Sequence, residues 1–150
     1  MNGNKGFSLV ELLVVITIIA VIAGISTPSF IEWTRNARFK EAANLVVTAM
    51  REGKSQAINL NQRVSVDFKL DTPRHVKVGS KSASLFGKDV ILKGGTTDEC
   101  NGTANLLTFE FNPDGSVTNA GYICIFDGAV QKYLISIPTA NTGRILLVKE

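Results

Sequence analysis

The sequence predicts an α+β fold: a long N-terminal α-helix packed against an antiparallel β-sheet head. Three observations predict it. The run from Phe7 to Ile31 is almost entirely apolar. Beyond it, Phe39, Ala43, Val46, Met50, Gly53, Ala57 and Leu60 recur at alternating spacings of four and three, one apolar stripe on an amphipathic helix. From Val64 the period drops to two, and short β-branched and aromatic runs alternate with turn residues. The 150 residues suit one globular head with one appended element.

The helix is expected from Phe7 to Asn61. Its first part is apolar on every side, and its second is one-sided, with Arg38, Glu41, Asn44, Thr48, Arg51, Glu52, Ser55 and Asn59 off the stripe. Gly24 and Pro28 interrupt it. Proline removes a backbone donor, so a bend or melted turn is expected near residues 24–28. In the head, Val64 to Leu70 reads as a half-buried strand, followed by a turn at residues 71–74 and a second strand beginning at Val76 and Val78. A third covers Asp89 to Lys93 and closes at Gly94-Gly95. Leu107 to Phe111 leads into the tight-turn signal Asn112-Pro113-Asp114-Gly115. Tyr122–Phe126, Tyr133–Ile137 and Arg144–Val148 complete about seven short strands, with turn residues at Asp127-Gly128 and Asn141–Gly143 between them.

Composition narrows the function. Charged residues are only 19% of the chain and apolar residues 45%, which suggests that part of it is not meant for water. One His leaves little scope for metal sites or triads. The net charge of +3 is spread along the chain and names no nucleic-acid partner.

The apolar run is the informative segment. As a helix its 25 residues span about 37 Å, enough to cross a hydrocarbon core of about 30 Å. Three readings compete: a cleaved secretory signal, a plain transmembrane anchor, and an anchor with a processed start. The first has a weakly basic n-region, with Lys5 and the terminal amine, and a carboxylate in its apolar stretch. The second leaves Glu11 unexplained, at an insertion cost of about 2.5–3.5 kcal/mol.

The third explains Glu11. Lys5-Gly6-Phe7-Ser8-Leu9-Val10-Glu11 resembles the class III signal of type IV prepilins and pseudopilins. The resemblance implies that a prepilin peptidase cuts after Gly6 and that the new terminus, Phe7, is N-methylated. It divides the chain into a leader (1–6), a transmembrane and assembly helix (7–31), and an amphipathic helix half with a β-rich head (32–150). It also implies that Glu11 meets the Phe7 amine of a neighbouring subunit. Pairing would relieve a carboxylate and an ammonium that are each costly in an apolar setting. The alternative is a Glu tolerated near the membrane surface. The resemblance implies a cytoplasmic N-terminus. The positive-inside rule does not favour it, because Arg35, Arg38 and Lys40 follow the apolar run.

The head narrows the resemblance. Arg51 to Val64, Phe109 to Ser116, and Gly143-Arg144-Ile145 resemble the H-type minor pseudopilins and FimT-type minor pilins. Gly53 departs from that family, which usually places a better helix former there, and costs about 1 kcal/mol of helix propensity relative to Ala.

No catalytic constellation is found, and no metal or cofactor is expected. His75 reads as a solvated loop residue. Asp98, Glu99 and Asn101 are a weak calcium candidate. Cys100 and Cys124 are either a bridge, if the head lies outside the cytoplasm, or two buried thiols. Asn101-Gly102-Thr103 marks an exposed loop.

The sequence is therefore expected to encode a non-enzymatic minor pilin or pseudopilin of a type IV pilus or type II secretion pseudopilus. Its place is the bacterial inner membrane, head in the periplasm, and then the filament. Its partners would be other pilin subunits, the prepilin peptidase, the membrane assembly platform and inner-membrane lipid. The alternatives are a major pilin and a DNA-binding pilin for uptake. The DNA-binding type carries Gly-Arg-x-Arg near its end, of which Gly143 and Arg144 are present but not the second Arg. Arg144 and Lys149 are scattered cations that would bind DNA weakly.

Overall fold

The structure, a computed structural model, describes residues 7–71, 74–84, 90–102, 105–138 and 140–149, the side chains of residues 25–29 and 140 excepted. Among these residues the order is α1 (Leu9–Leu60), β1 (Val64–Lys69), β2 (His75–Val78), β3 (Lys81–Ser84), β4 (Ile91–Gly95), β5 (Leu106–Phe111), β6 (Gly121–Asp127), β7 (Val130–Ile137), a 3-10 turn (Ala140–Thr142) and β8 (Leu146–Lys149). The described residues up to Asn36 form one compact unit and those from Ala37 onward another.

The first unit is helical from Leu9 onward. Its helix is continuous through Gly24 and the backbone of Pro28, so the melted turn expected there does not form. A proline removes one N–H from the ladder, and the bonds on either side remain available to carry the helix past it.

In the second unit α1 buries Phe39, Ala42, Ala43, Val46, Val47, Ala49, Met50 and Ala57. The predicted stripe is therefore present but wider, and Leu60 is excluded from it at 61% exposure. Leu60 lies where the helix stops. Asn61 takes a left-handed conformation with φ 50°. The Gln62 N–H donates to Ala57 O at 3.2 Å and the Asn61 N–H to Ile58 O at 3.3 Å, a Schellman closure that satisfies two end carbonyls.

The stripe packs with two four-stranded antiparallel sheets, ordered β3-β2-β1-β5 and β4-β6-β7-β8. In β1 the side chains alternate: Val64, Val66 and Phe68 are buried, Ser65, Asp67 and Lys69 less so. Val66 faces Phe109 across β1–β5, and the Phe68 and Phe109 rings meet edge-on at 6.2 Å. Ile123, Ile125, Ile135 and Ile137 complete the core from the second sheet.

The structure adds a strand to the seven expected. Lys81–Ser84 pairs with β2 through a Gly79-Ser80 turn, in which Gly79 has φ 57°. Its residues are small or polar and all exposed, so no apolar alternation marks it. Gly94 and Gly95 prove to be inside β4 rather than closing it. A β-carbon at Gly94 would lie 2.9 Å from Leu107 Cδ2, and one at Gly121 3.0 Å from Phe109 Cε1. Side chains of β5 therefore press close on the second sheet at both glycines. The last strand begins at Leu146, two residues later than expected.

Gly53 has the same explanation. A β-carbon there would overlap Val66 Cγ2 and come within 3.5 Å of Phe111. The helix gives up propensity so that its backbone can approach β1 and β5.

The segments Arg51–Val64, Phe109–Ser116 and Gly143–Ile145 converge beside this contact. Lys54 Nζ donates to Thr142 O and Gly143 O, both at 3.1 Å. Gly115 and Gly143 have φ of 79° and 51°. A β-carbon on Gly143 would overlap Gly115 O, and one on Gly115 would touch Lys54 Cε at 3.0 Å. The turn before Gly115 closes through its N–H to Asn112 O at 2.9 Å. Asp114 accepts from the Ser116 hydroxyl at 2.6 Å and the Ser116 N–H at 2.9 Å.

Cys100 and Cys124 are joined, with 6.0 Å between their α-carbons and a sequence separation of 24. The bridge ties the loop after β4 to β6. It contributes about 3 kcal/mol in the loop-entropy account.

Two predictions follow from this packing. Gly53→Ala raises helix propensity yet should destabilise the head by about 1–3 kcal/mol, because overpacking outweighs the gain. Chemical denaturation of the full chain in detergent, read by the fluorescence of Tyr122 and Tyr133, checks it. A midpoint at or above wild type would show that Val66 yields freely. The second concerns Asp114, whose carboxyl is held below its ordinary value of 3.8, first by the Ser116 hydroxyl and then by the Ser116 N–H. A carboxylate with a lowered folded pKa adds stability above its unfolded pKa and loses it as pH falls through the folded one. An NMR titration of Asp114 should therefore give a midpoint below 3.8, moving up toward it in Ser116→Ala.

Candidate functional site: the start of the long helix

The helix start is built by Ser8. Phe7 and Ser8 are not helical. The Ser8 hydroxyl oxygen accepts from the Val10 N–H at 3.3 Å, and Ser8 O accepts the first helical bond from the Leu12 N–H at 3.1 Å. Ser8 is thus the N-cap, and Glu11 falls at the third helical position of a Ser-x-x-Glu pattern. That pattern was the available signal for Ser8, which the sequence reading passed over in favour of Glu11 alone. A carboxylate in the first turn is favoured by the helix dipole by about 0.3–1 kcal/mol. Glu11 is also the only ionisable residue between Phe7 and Ile31.

The surroundings are apolar and uncovered. Every large apolar side chain from Phe7 to Ile22 is between 44% and 82% exposed. These residues occupy all faces of the helix, so no face is reserved for a core within the chain. The one interior hydroxyl, Thr17, donates to Leu13 O at 2.8 Å and is satisfied within the helix. An exposed apolar surface of this extent marks an interaction face. Among the described residues no helix is long and apolar enough to cross a membrane. The described apolar side chains end at Ala23 and resume at Phe30, since the side chains of residues 25–29 lie outside the described set.

The other predicted positions fall as follows. Gly6 and the rest of the expected leader lie outside the described residues, so the Gly6–Phe7 bond has no geometry here; Phe7 is 82% exposed. Cys100 and Cys124 are buried and joined, far along the chain from Glu11. Arg144 and Lys149 are exposed, one before β8 and one at its end. His75 begins β2 rather than lying in a loop, a correction to the sequence reading. It stands beside Lys69 in the β1–β2 register, held there by the alternation that buries Val76 and Val78. The Asn101 amide donates to Glu99 at 3.3 Å. No three His, Cys, Asp or Glu side chains cluster in metal-binding fashion among the described residues.

Known proteins supply the remaining context. Residues 1–27 match the prokaryotic N-terminal methylation motif. Over 146 residues the chain is 27% identical to a fimbrial protein of Pseudomonas aeruginosa, covering 93% of this chain and 92% of that one. It is 31% identical over 104 residues to the type IV narrow pilus major component PilA5 of Thermus thermophilus, covering 69% of this chain and 84% of that one. Its backbone is similar to the crystal structure of the Pseudomonas aeruginosa type IV minor pilin FimU, with a TM-score of 0.60 over 77% of this chain and 92% of that one, at 14% identity. Helix, sheets and capped acidic start thus agree with the sequence likeness, and the chain belongs to the type IV pilin family.

Proposed function

We propose that the chain is a non-enzymatic minor subunit of a type IV pilus or a type II secretion pseudopilus, held in the inner membrane by its N-terminal helix and then drawn into the filament. The observation that carries this is the exposed apolar surface on all sides of the helix from Phe7 to Ile22, with one carboxylate at its start. Lipid covers such a surface before assembly, and sister helices cover it afterwards. The apolar run of the sequence continues to Ile31, which supports a full crossing. In this reading the prepilin peptidase cuts between Gly6 and Phe7, Phe7 is N-methylated, and the assembly platform receives the product. Glu11 then faces the Phe7 amine of a neighbour.

The likeness in fold to FimU supports the minor-subunit assignment. A second reading, a major pilin, is favoured by the sequence likeness to a protein named as a major component. Quantifying the chain in sheared filaments separates the two, since a minor subunit is far below stoichiometric. Nothing adds to the DNA-binding reading: Arg144 and Lys149 are exposed, and Leu146 stands where that motif has its second arginine.

Two experiments test the proposal. Intact mass of the membrane-purified protein should lack Met1–Gly6 and carry one added methyl; a start near Thr27 would mean an ordinary signal peptide. Glu11→Ala should enter the membrane at least as readily as wild type, because it removes a carboxylate from the apolar run. It should nevertheless fail to co-purify with sheared filaments, because a neighbour's ammonium is left uncompensated at a cost of several kcal/mol. Normal incorporation would show that apolar packing alone sets the register.

A further inference from the structure

The helix carries a second marked position at the far end of its apolar run. Phe30 and Trp33 are adjacent on one face, with ring centroids 6.0 Å apart. They are 66% and 68% exposed. Neither belongs to the core, and among the described residues nothing buries either ring. Trp33 is the only tryptophan in the sequence. The helix turns polar at this point: Glu32, Arg35 and Asn36 are all exposed. The Thr34 hydroxyl donates to Phe30 O at 2.7 Å, so it is satisfied within the helix.

The spacing to Glu11 is informative. At 1.5 Å per residue, Glu11 and Trp33 are about 33 Å apart along the helix, close to the ~30 Å thickness of a hydrocarbon core. A helix placed with Trp33 at one boundary has Glu11 at the other. Aromatic rings with a polar edge collect at such boundaries, where the ring body meets acyl chain and the indole N–H meets headgroup and water.

Resting on the membrane reading given above, we propose that Phe30 and Trp33 dock in the phospholipid headgroup boundary on the side opposite Glu11 and fix the depth of the subunit in the bilayer. The partner is lipid, and the pair acts as a stop. Glu11 is held at the opposite boundary rather than at mid-membrane, where a carboxylate is costlier. The subunit awaiting assembly then presents its carboxylate at a fixed level, which apolar length alone would not define.

The single tryptophan makes this directly measurable. The full chain is reconstituted in vesicles of phosphatidylethanolamine and phosphatidylglycerol carrying a spin-label quencher near the acyl carbonyl or near the chain end. Flotation with the vesicles is scored first. Trp33 emission should be quenched by the shallow label at least about twofold more than by the deep one. The double variant Phe30→Trp, Trp33→Leu then separates an anchor from a passenger. If aromatic docking fixes depth, the helix slides by about 4.5 Å and the indole keeps the shallow quenching profile. If apolar length fixes depth, the indole moves inward and the deep label quenches it more, which overturns the proposal. Strongest quenching of wild type by the deep label, or quenching only by aqueous iodide, overturns it as well. Failure to float overturns the membrane reading and the anchor with it, and is distinguishable because it precedes any quenching measurement.

Discussion

The close approach of α1 to β1 and β5 at Gly53 is the contact on which the head depends. With no side chain there, the helix backbone comes near enough for Val66 and Phe111 to fill the space. The buried residues on either side of Gly53, from Phe39 to Ala57, then meet both sheets in one core. Glycine is a poor helix former, so the sequence gives up about 1 kcal/mol locally to make this packing possible. Gly94 and Gly121 stand at milder close contacts in the second sheet, where Leu107 and Phe109 press against it. Three glycines in regular elements thus mark three close approaches.

The ends of the head are fixed by polar and covalent ties rather than by core volume. Lys54 gathers the carbonyls of Thr142 and Gly143, and the left-handed conformations of Gly115 and Gly143 bring two loops together beneath it. The disulfide does the same for the loop after β4. A head of this size buries a modest core, and such ties reduce the conformational freedom of loops that the core does not reach.

The other half of the helix follows opposite rules. Its apolar residues face outward on all sides, and its polar groups are few. Ser8 caps the first turn, Thr17 and Thr34 bond back to their own helix, and Glu11 carries the only charge in the run. One continuous element thus serves two environments. In the head its specificity comes from shape, and at its start from a single charge in an apolar setting, where an unpaired ion is costly.

Periodicity was enough to determine the helix, its change from all-apolar to one-sided, and most of the strands. These features repeat the geometry of the element itself, so each residue reports on its neighbours three, four or two places away. Signals in short peptides were equally legible: the tight turn at Asn112–Gly115 and the acidic start at Glu11. Other features depended on distant parts of the chain. The strand Lys81–Ser84 has no apolar alternation and exists because β2 offers it a ladder. Leu60 belongs to the helical stripe by spacing but lies beyond the reach of the core. Gly53 and Gly94 read as a weak helix position and a strand end until the residues packed against them are known. Pro28 reads as a break, yet the ladder closes on both sides of it. Cys100 and Cys124 are joined because the fold brings β6 to the loop after β4, a proximity that a separation of 24 residues does not state. Local spacing determined which elements form, and tertiary packing decided which residues each could leave without a side chain, because only the folded chain sets the distance between backbones.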